Sequence, residues 1–227
     1  VSDVSGPGGS AGWSALHGGI ALSPPVRAWL WLVQRLAAGP VTRVPPDVLS
    51  LAGVLAVAGA LAAAAAGGRW PLLSALLVVA AGVLDGLDGA VALRTGRARP
   101  LGAVVDAAAD RVGDLLLIAV LAALGAPLGW VLAAGAPALL HEYVRARAQA
   151  VGMPGVGAVT VAERPTRLIV VAVAALGTGT LPAGTPFTGW GWATVCAVLW
   201  TVAGVVGALQ LAVGIVRSVP RGYGPDR

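Results

Sequence analysis

Lysine is absent from this 227-residue chain, so all fifteen cationic side chains are arginine, and cysteine, methionine and phenylalanine occur once each. The lone thiol, Cys196, cannot close an internal disulfide, and within its apolar run it reads as a small core side chain. Charge is scarce too: 11% of residues are charged, where a soluble domain carries roughly 25%, while 57% are hydrophobic and the mean hydropathy is +0.85. This balance excludes an ordinary soluble domain and points to an integral membrane protein. The net charge of +5 is spread among the connections between apolar runs, which membrane topology explains, so no nucleic-acid partner is expected. Residues 1–25 lack the basic start, apolar run and cleavage site of a signal peptide, and their Gly, Ser and Pro content predicts a disordered tail.

A helix crosses the hydrocarbon in roughly 20 residues. Six stretches are long enough, at about 47–66, 71–92, 102–124, 127–148, 165–183 and 190–216. Gly67-Gly68, Gly125-Ala126-Pro127 and the 182–189 segment separate them, and Pro45-Pro46 and Pro100 stand where a helix start tolerates proline. Ahead of the first span, residues 26–43 begin with an amphipathic stretch containing Trp29, Leu30, Leu32, Val33 and Leu36, which predicts a juxtamembrane helix in the interface. Trp29, Trp31, Trp70, Trp130, Trp190 and Trp192 lie near span ends and read as interface anchors, whereas Trp200 falls inside the last span. Arginines cluster before span one, between spans two and three, between four and five, and after six, with only Arg69 on the other side. The expected architecture is therefore an all-α membrane domain, residues 44–217, with six transmembrane helices, both termini cytoplasmic and a short cytoplasmic tail at 218–227.

Against this apolar background stand Asp85, Asp88, Asp106 and Asp110. Residues three or four apart share a helix face, so the first two project together from span two and the last two from span three. A carboxylate removed from water costs several kcal/mol unless a cation or dense hydrogen bonding offsets it. Four oxygen donors brought face to face suit Mg²⁺ or Mn²⁺, in a one-ion or two-ion site of the kind that clamps phosphoryl oxygens. The competing reading is a structural Asp–Arg network using Arg94, Arg97 and Arg111. Asp114 continues the four-residue series, and a salt bridge with Arg111 is expected to support the ligands.

These residues resemble the signature of the CDP-alcohol phosphotransferase family, D-x2-D-G-x2-A-R-x8-G-x3-D-x3-D. Asp85, Asp88, Gly89, Ala92, Gly102, Asp106 and Asp110 fall in register, and the arginine position departs, being Leu93 with Arg94 beside it. The segment from Val44 to Ser50, with Pro46-Asp47, is similar to the Pro-Asn-x-x-Thr start of that family's first span. The resemblance implies a bacterial inner-membrane enzyme, active on the cytoplasmic side, in which an acceptor hydroxyl displaces CMP from CDP-diacylglycerol or a related CDP-alcohol. It also implies Asp85, Asp88 and Asp106 as metal ligands, Asp110 as ligand and catalytic base, Gly89, Ala92 and Gly102 as nucleotide contacts, and a homodimer.

Span four ends in His141-Glu142-Tyr143-Val144-Arg145-Ala146-Arg147, and span five opens with Glu163-Arg164-Pro165-Thr166-Arg167. Arg145, Arg147, Arg164 and Arg167 can bind an anion bidentately, or simply anchor the cytoplasmic face. The two segments resemble those of phosphatidylinositol-phosphate and phosphatidylglycerophosphate synthases, so a small phosphorylated polyol is the expected acceptor, inositol phosphate or glycerol 3-phosphate. Two other classes compete. A UbiA-like prenyltransferase shares the D-x3-D spacing but needs a further aspartate where Ala92 stands, and a cation transporter would need broken helices in paired repeats, which are not apparent.

Overall fold

The computed structural model describes residues 31–155, 157–186 and 188–219. The segment 1–25, Trp29 and residues 220–227 lie outside them. Among the described residues the long elements are six helices: α1 Pro46–Ala66, α2 Pro71–Thr95, α3 Pro100–Ala123, α4 Leu128–Ala150, α5 Arg164–Thr180 and α6 Trp192–Ser218. Their bounds fall within a few residues of the apolar stretches. Proline opens α1, α2, α3 and α5, where its missing N–H leaves no intrahelical bond unmade. Gly96 closes α2 in the left-handed conformation at φ 64°, and the Arg97 N–H returns to the Ala92 carbonyl at 3.0 Å, so the chain turns at once toward α3.

Three of the helices, α1, α2 and α6, are long and apolar enough to cross a membrane by length and composition alone. α5 has 17 residues, and α3 and α4 carry the charged clusters. The packing is that of a bundle in lipid: Ala60, Ala81, Ala134, Ala174 and Ala197 are buried in the core, while Leu51, Leu55, Leu76, Leu132 and Leu209 face outward. Lipid tails are as apolar as leucine, so small residues that let backbones approach define the interior. α1 lies against α2 and α3, α2 against α5, and α6 against α4 and α5.

Residues 31–36 are helical, as expected of the juxtamembrane segment. Val33 and Ala37 pack on Leu49, Leu87 and Val91, while Trp31, Leu32 and Leu36 stay exposed. The Arg94 guanidinium donates to the Gln34 carbonyl at 3.1 Å and that of Arg97 to the Thr42 carbonyl at 3.4 Å, tying this segment to the end of α2. Trp31, Trp70, Trp130 and Trp190 are exposed, and Trp200 is buried. Trp192 departs from the anchor reading: its ring lies against Gly177 of α5, where a Cβ would stand 2.2 Å from it. Cys196 is in the core.

The loop between α4 and α5 is seated on glycines of α6. A Cβ on Gly207 would lie 2.5 Å from the Ala162 Cβ, and one on Gly214 would lie 3.0 Å from the Gly157 carbonyl oxygen. Gly207→Leu is therefore expected to push residues 157–162 off α6 and to destabilise the fold by about 1–3 kcal/mol, as overpacking does. Thermal unfolding in detergent measures this, and an unchanged midpoint would show that the loop is not held there.

Candidate active site

The α2 and α3 carboxylates meet as the helix spacing requires. One oxygen each from Asp85, Asp106 and Asp110 lies within 4.8 Å of the others. Asp88 lines the same cavity together with Ser50, Gly53, Ala109 and Arg164. It stands slightly apart from the trio, because its Oδ2 accepts from the Ser50 hydroxyl at 2.6 Å and its Oδ1 from the Gly89 N–H at 2.6 Å. Ser50 was not singled out as a site residue by the sequence. It sits on α1, three residues after Asp47, and fixes the Asp88 carboxylate from the facing helix.

The cation among these acids is Arg164, from the first turn of α5. Its Nε is 2.9 Å from Asp85 Oδ1, and its Nη1 is 2.8 Å from Asp110 Oδ1 and donates to the Asp110 carbonyl at 2.9 Å. Gly113 makes this approach possible, since a Cβ there would lie 3.0 Å from the guanidinium. Arg94 and Arg97, which a purely structural Asp–Arg network would have used, bond backbone carbonyls elsewhere. Arg111 reaches Asp114 at 3.1 Å, as expected, and Asp110 only at 4.0 Å.

Beside the carboxylates runs a second charged chain. Arg167 is 1% exposed and donates to Asp114 Oδ2 at 2.6 Å, to Glu142 Oε1 at 3.1 Å and to the Ala162 carbonyl at 3.0 Å. Arg145 pairs with Glu163 Oε1 at 2.6 Å, with Glu142 at 3.4 Å, and bonds the Ala158 carbonyl. His141 is buried, its Nε2 within 3.2 Å of Arg145 and 3.3 Å of the Thr160 hydroxyl. Burial alone would raise the Glu163 carboxyl, but bonds from Arg145 and from the Thr160 N–H and hydroxyl hold it below its usual range. Of the four arginines expected to hold an acceptor phosphate, Arg164 thus lies against the carboxylates, Arg145 and Arg167 are committed to internal pairs, and Arg147 is exposed.

The donor set fits a divalent cation. Oxygen donors converge from two helices, and the place beside Asp85 and Asp110 holds a guanidinium, a positive group standing where a metal would satisfy the same oxygens. Gly89 has nothing within 4 Å of a built Cβ, which leaves room for a ligand against α2, and Gly102 lies beneath Arg99 and Asp47.

The sequence model of the CDP-alcohol phosphatidyltransferase family matches residues 43–216. The chain is 37% identical over 197 residues to the phosphatidylinositol phosphate synthase of Mycolicibacterium smegmatis, covering 79% of this chain and 81% of that protein. Crystal structures of the Mycobacterium tuberculosis phosphatidylinositol phosphate synthase superpose on it. The complex with manganese and citrate does so with a TM-score of 0.66 at 29% identity, covering 86% of this chain and 93% of the other. The form with CDP-DAG bound gives 0.62 at 30% identity, covering 86% and 97%.

The Arg167–Asp114 pair allows a direct test. Removing one member of a buried pair costs about 3–5 kcal/mol when the other charge is stranded, and Arg167→Met leaves the fully buried Asp114 only Arg111 at 3.1 Å, whereas replacing both is milder. Arg167→Met is expected to lower the unfolding midpoint sharply, and the Arg167→Met/Asp114→Leu double variant to recover most of it. Additive losses in a double-mutant cycle would show that the two side chains are not coupled.

Proposed function

The chain belongs to the CDP-alcohol phosphatidyltransferase family, and from that premise we propose that it transfers a phosphatidyl group from CDP-diacylglycerol to a hydroxyl of inositol phosphate, releasing CMP. The observation that carries a phosphorylated acceptor is Arg164, a guanidinium 2.8 Å from the Asp110 carboxylate. With bound cations taking over the Asp85 and Asp110 oxygens that now pair with Arg164, an anion held by that guanidinium would bring its own alcohol beside the base. Inositol phosphate, rather than glycerol 3-phosphate, is supported by relatives that are named phosphatidylinositol phosphate synthases.

Asp85, Asp88, Asp106 and Asp110 would hold Mg²⁺ or Mn²⁺, two ions in the fullest case, which offset the diphosphate charge and stabilise CMP as it leaves. Asp110 accepts the proton of the acceptor hydroxyl as its oxygen bonds to the phosphorus that carries the lipid, and the bond from that phosphorus to CMP breaks. Gly89, Ala92 and Gly102 leave the nucleotide room against α2 and α3. Arg164 donates to the acceptor phosphate, and Arg147, exposed at the end of α4, adds positive potential. Arg145 and Arg167 act from behind, through the pairs that hold the first turn of α5 in place. All six helices cross a bacterial cell membrane in this reading, with both termini and the carboxylates on the cytoplasmic side, supported by the distribution of arginines.

Purified protein is given CDP-diacylglycerol, Mn²⁺ or Mg²⁺, and inositol phosphate, glycerol 3-phosphate or inositol in turn, and CMP is measured. CMP is expected with inositol phosphate. It should disappear with a chelator, return on adding metal, and fall roughly 100-fold or more in Asp110→Asn, as loss of a general base does. Release with glycerol 3-phosphate alone would reassign the acceptor, and no CMP under any condition would overturn the proposal.

A further inference from the structure

His141 and Arg145 are four residues apart on α4, so they share a face of that helix, and Arg145 meets the α4–α5 loop there through the Ala158 carbonyl. The imidazole is 3% exposed. Its Nε2 lies 3.2 Å from Arg145 Nη2 and 3.3 Å from the Thr160 hydroxyl. A guanidinium only donates, so Nε2 is the lone-pair nitrogen and the ring proton sits on Nδ1. Nδ1 is itself buried and meets no acceptor among the described residues. A buried donor left without a partner weakens a fold, so stability gives no reason for a histidine at this position. The reason lies with the other nitrogen.

Arg145 meets Glu163 with two parallel bonds, Nη1 to Oε2 at 3.2 Å and Nη2 to Oε1 at 2.6 Å. Glu142, beside His141 on α4, competes for the same guanidinium and lies 3.4 Å from Nη1. His141 accepts on the Nη2 side, where Ala158 and Glu163 also accept, and so favours the pose of Arg145 that faces the start of α5. Thr160 closes the group, its N–H and its hydroxyl both donating to Glu163 Oε1, at 2.9 Å and 3.1 Å. Glu163 occupies the N-cap position of α5. Arg164 is the next residue, with its Nη1 2.8 Å from Asp110 Oδ1.

We propose that His141 is a positioning residue for the acceptor: as a neutral hydrogen-bond acceptor it holds Arg145 on Glu163, and through the start of α5 it sets where the Arg164 guanidinium stands beside Asp110. This inference rests on the reading above, in which Arg164 binds the acceptor phosphate. His141 touches neither a substrate nor the reacting atoms, so its loss acts on acceptor affinity and leaves the donor and the chemical step alone. Glutamine carries an oxygen at about the reach of Nε2 and can take its place, whereas leucine fills the space and accepts nothing.

The test uses the full chain in detergent with Mn²⁺ and CDP-diacylglycerol, follows CMP release over a range of inositol phosphate, and records the melting curve of each variant. His141→Leu is expected to raise the KM for inositol phosphate roughly 10-fold, the factor carried by one hydrogen bond to a charged group, with kcat and the KM for CDP-diacylglycerol little changed. Its melting midpoint should hold, because the unpartnered N–H is gone and Arg145 keeps Glu163 and the Ala158 carbonyl. His141→Gln should return the KM close to that of wild type. An unchanged KM in His141→Leu, or one raised as far in His141→Gln as in His141→Leu, would overturn the inference while transfer to inositol phosphate still stood. So would a melting midpoint that falls in His141→Leu together with kcat, the signature of a purely structural side chain. A wild type that releases no CMP with inositol phosphate would instead bring down the acceptor reading and this inference with it.

Discussion

The charged end of this bundle is organised by the burial of carboxylates among helices. Inside apolar surroundings an unpaired acid is costly, and the fold answers with arginines brought in from other helices. Arg164 reaches from α5 to Asp85 on α2 and Asp110 on α3, so three helices converge on one guanidinium. Its position depends in turn on Arg167, one turn along α5, which is clamped between Asp114 of α3 and Glu142 of α4. Electrostatics therefore orders the helix ends on which these carboxylates stand.

That arrangement needs close backbones, and the composition supplies them. In lipid, association is not driven by withdrawing leucine from water, and alanines such as Ala60, Ala134, Ala174 and Ala197 fill much of the interior beside Leu117, Leu121 and several valines, while many other leucines face outward. Gly113 admits the Arg164 guanidinium, and Gly207 and Gly214 seat the loop that leads into α5. These glycines pack the helices, and by doing so they determine how far an arginine stem must reach to meet the acids.

The six long helices and the paired acids were legible because both are local patterns: hydropathy over about 20 residues, and carboxylates three or four apart on one face. The family signature then gave those acids a chemistry. What could not be read was pairing across helices. Arg164 is 54 residues from Asp110, and nothing in the Glu163-Arg164-Pro165 segment distinguishes a guanidinium among carboxylates from one waiting for a phosphate. Arg145 and Arg167 look equally available in sequence, yet Glu163, Glu142 and Asp114 consume them. Trp192 reads as an anchor until Gly177 is seen to leave a space for its ring.

The division of charge distinguishes two parts of this network. Around α4 and α5, Asp114, Glu142 and Glu163 are matched by Arg111, Arg145 and Arg167, so that region is formally neutral, and it meets the carboxylate cluster only through longer pairs, Arg111 with Asp110 at 4.0 Å and Arg164 with Asp114 at 3.9 Å. In the adjoining cavity, Asp85, Asp88, Asp106 and Asp110 share Arg164, leaving a formal excess of three negative charges when all four are ionised. An excess of this kind is what bound divalent cations would offset, and the cluster of Asp85, Asp106 and Asp110 oxygens could hold one.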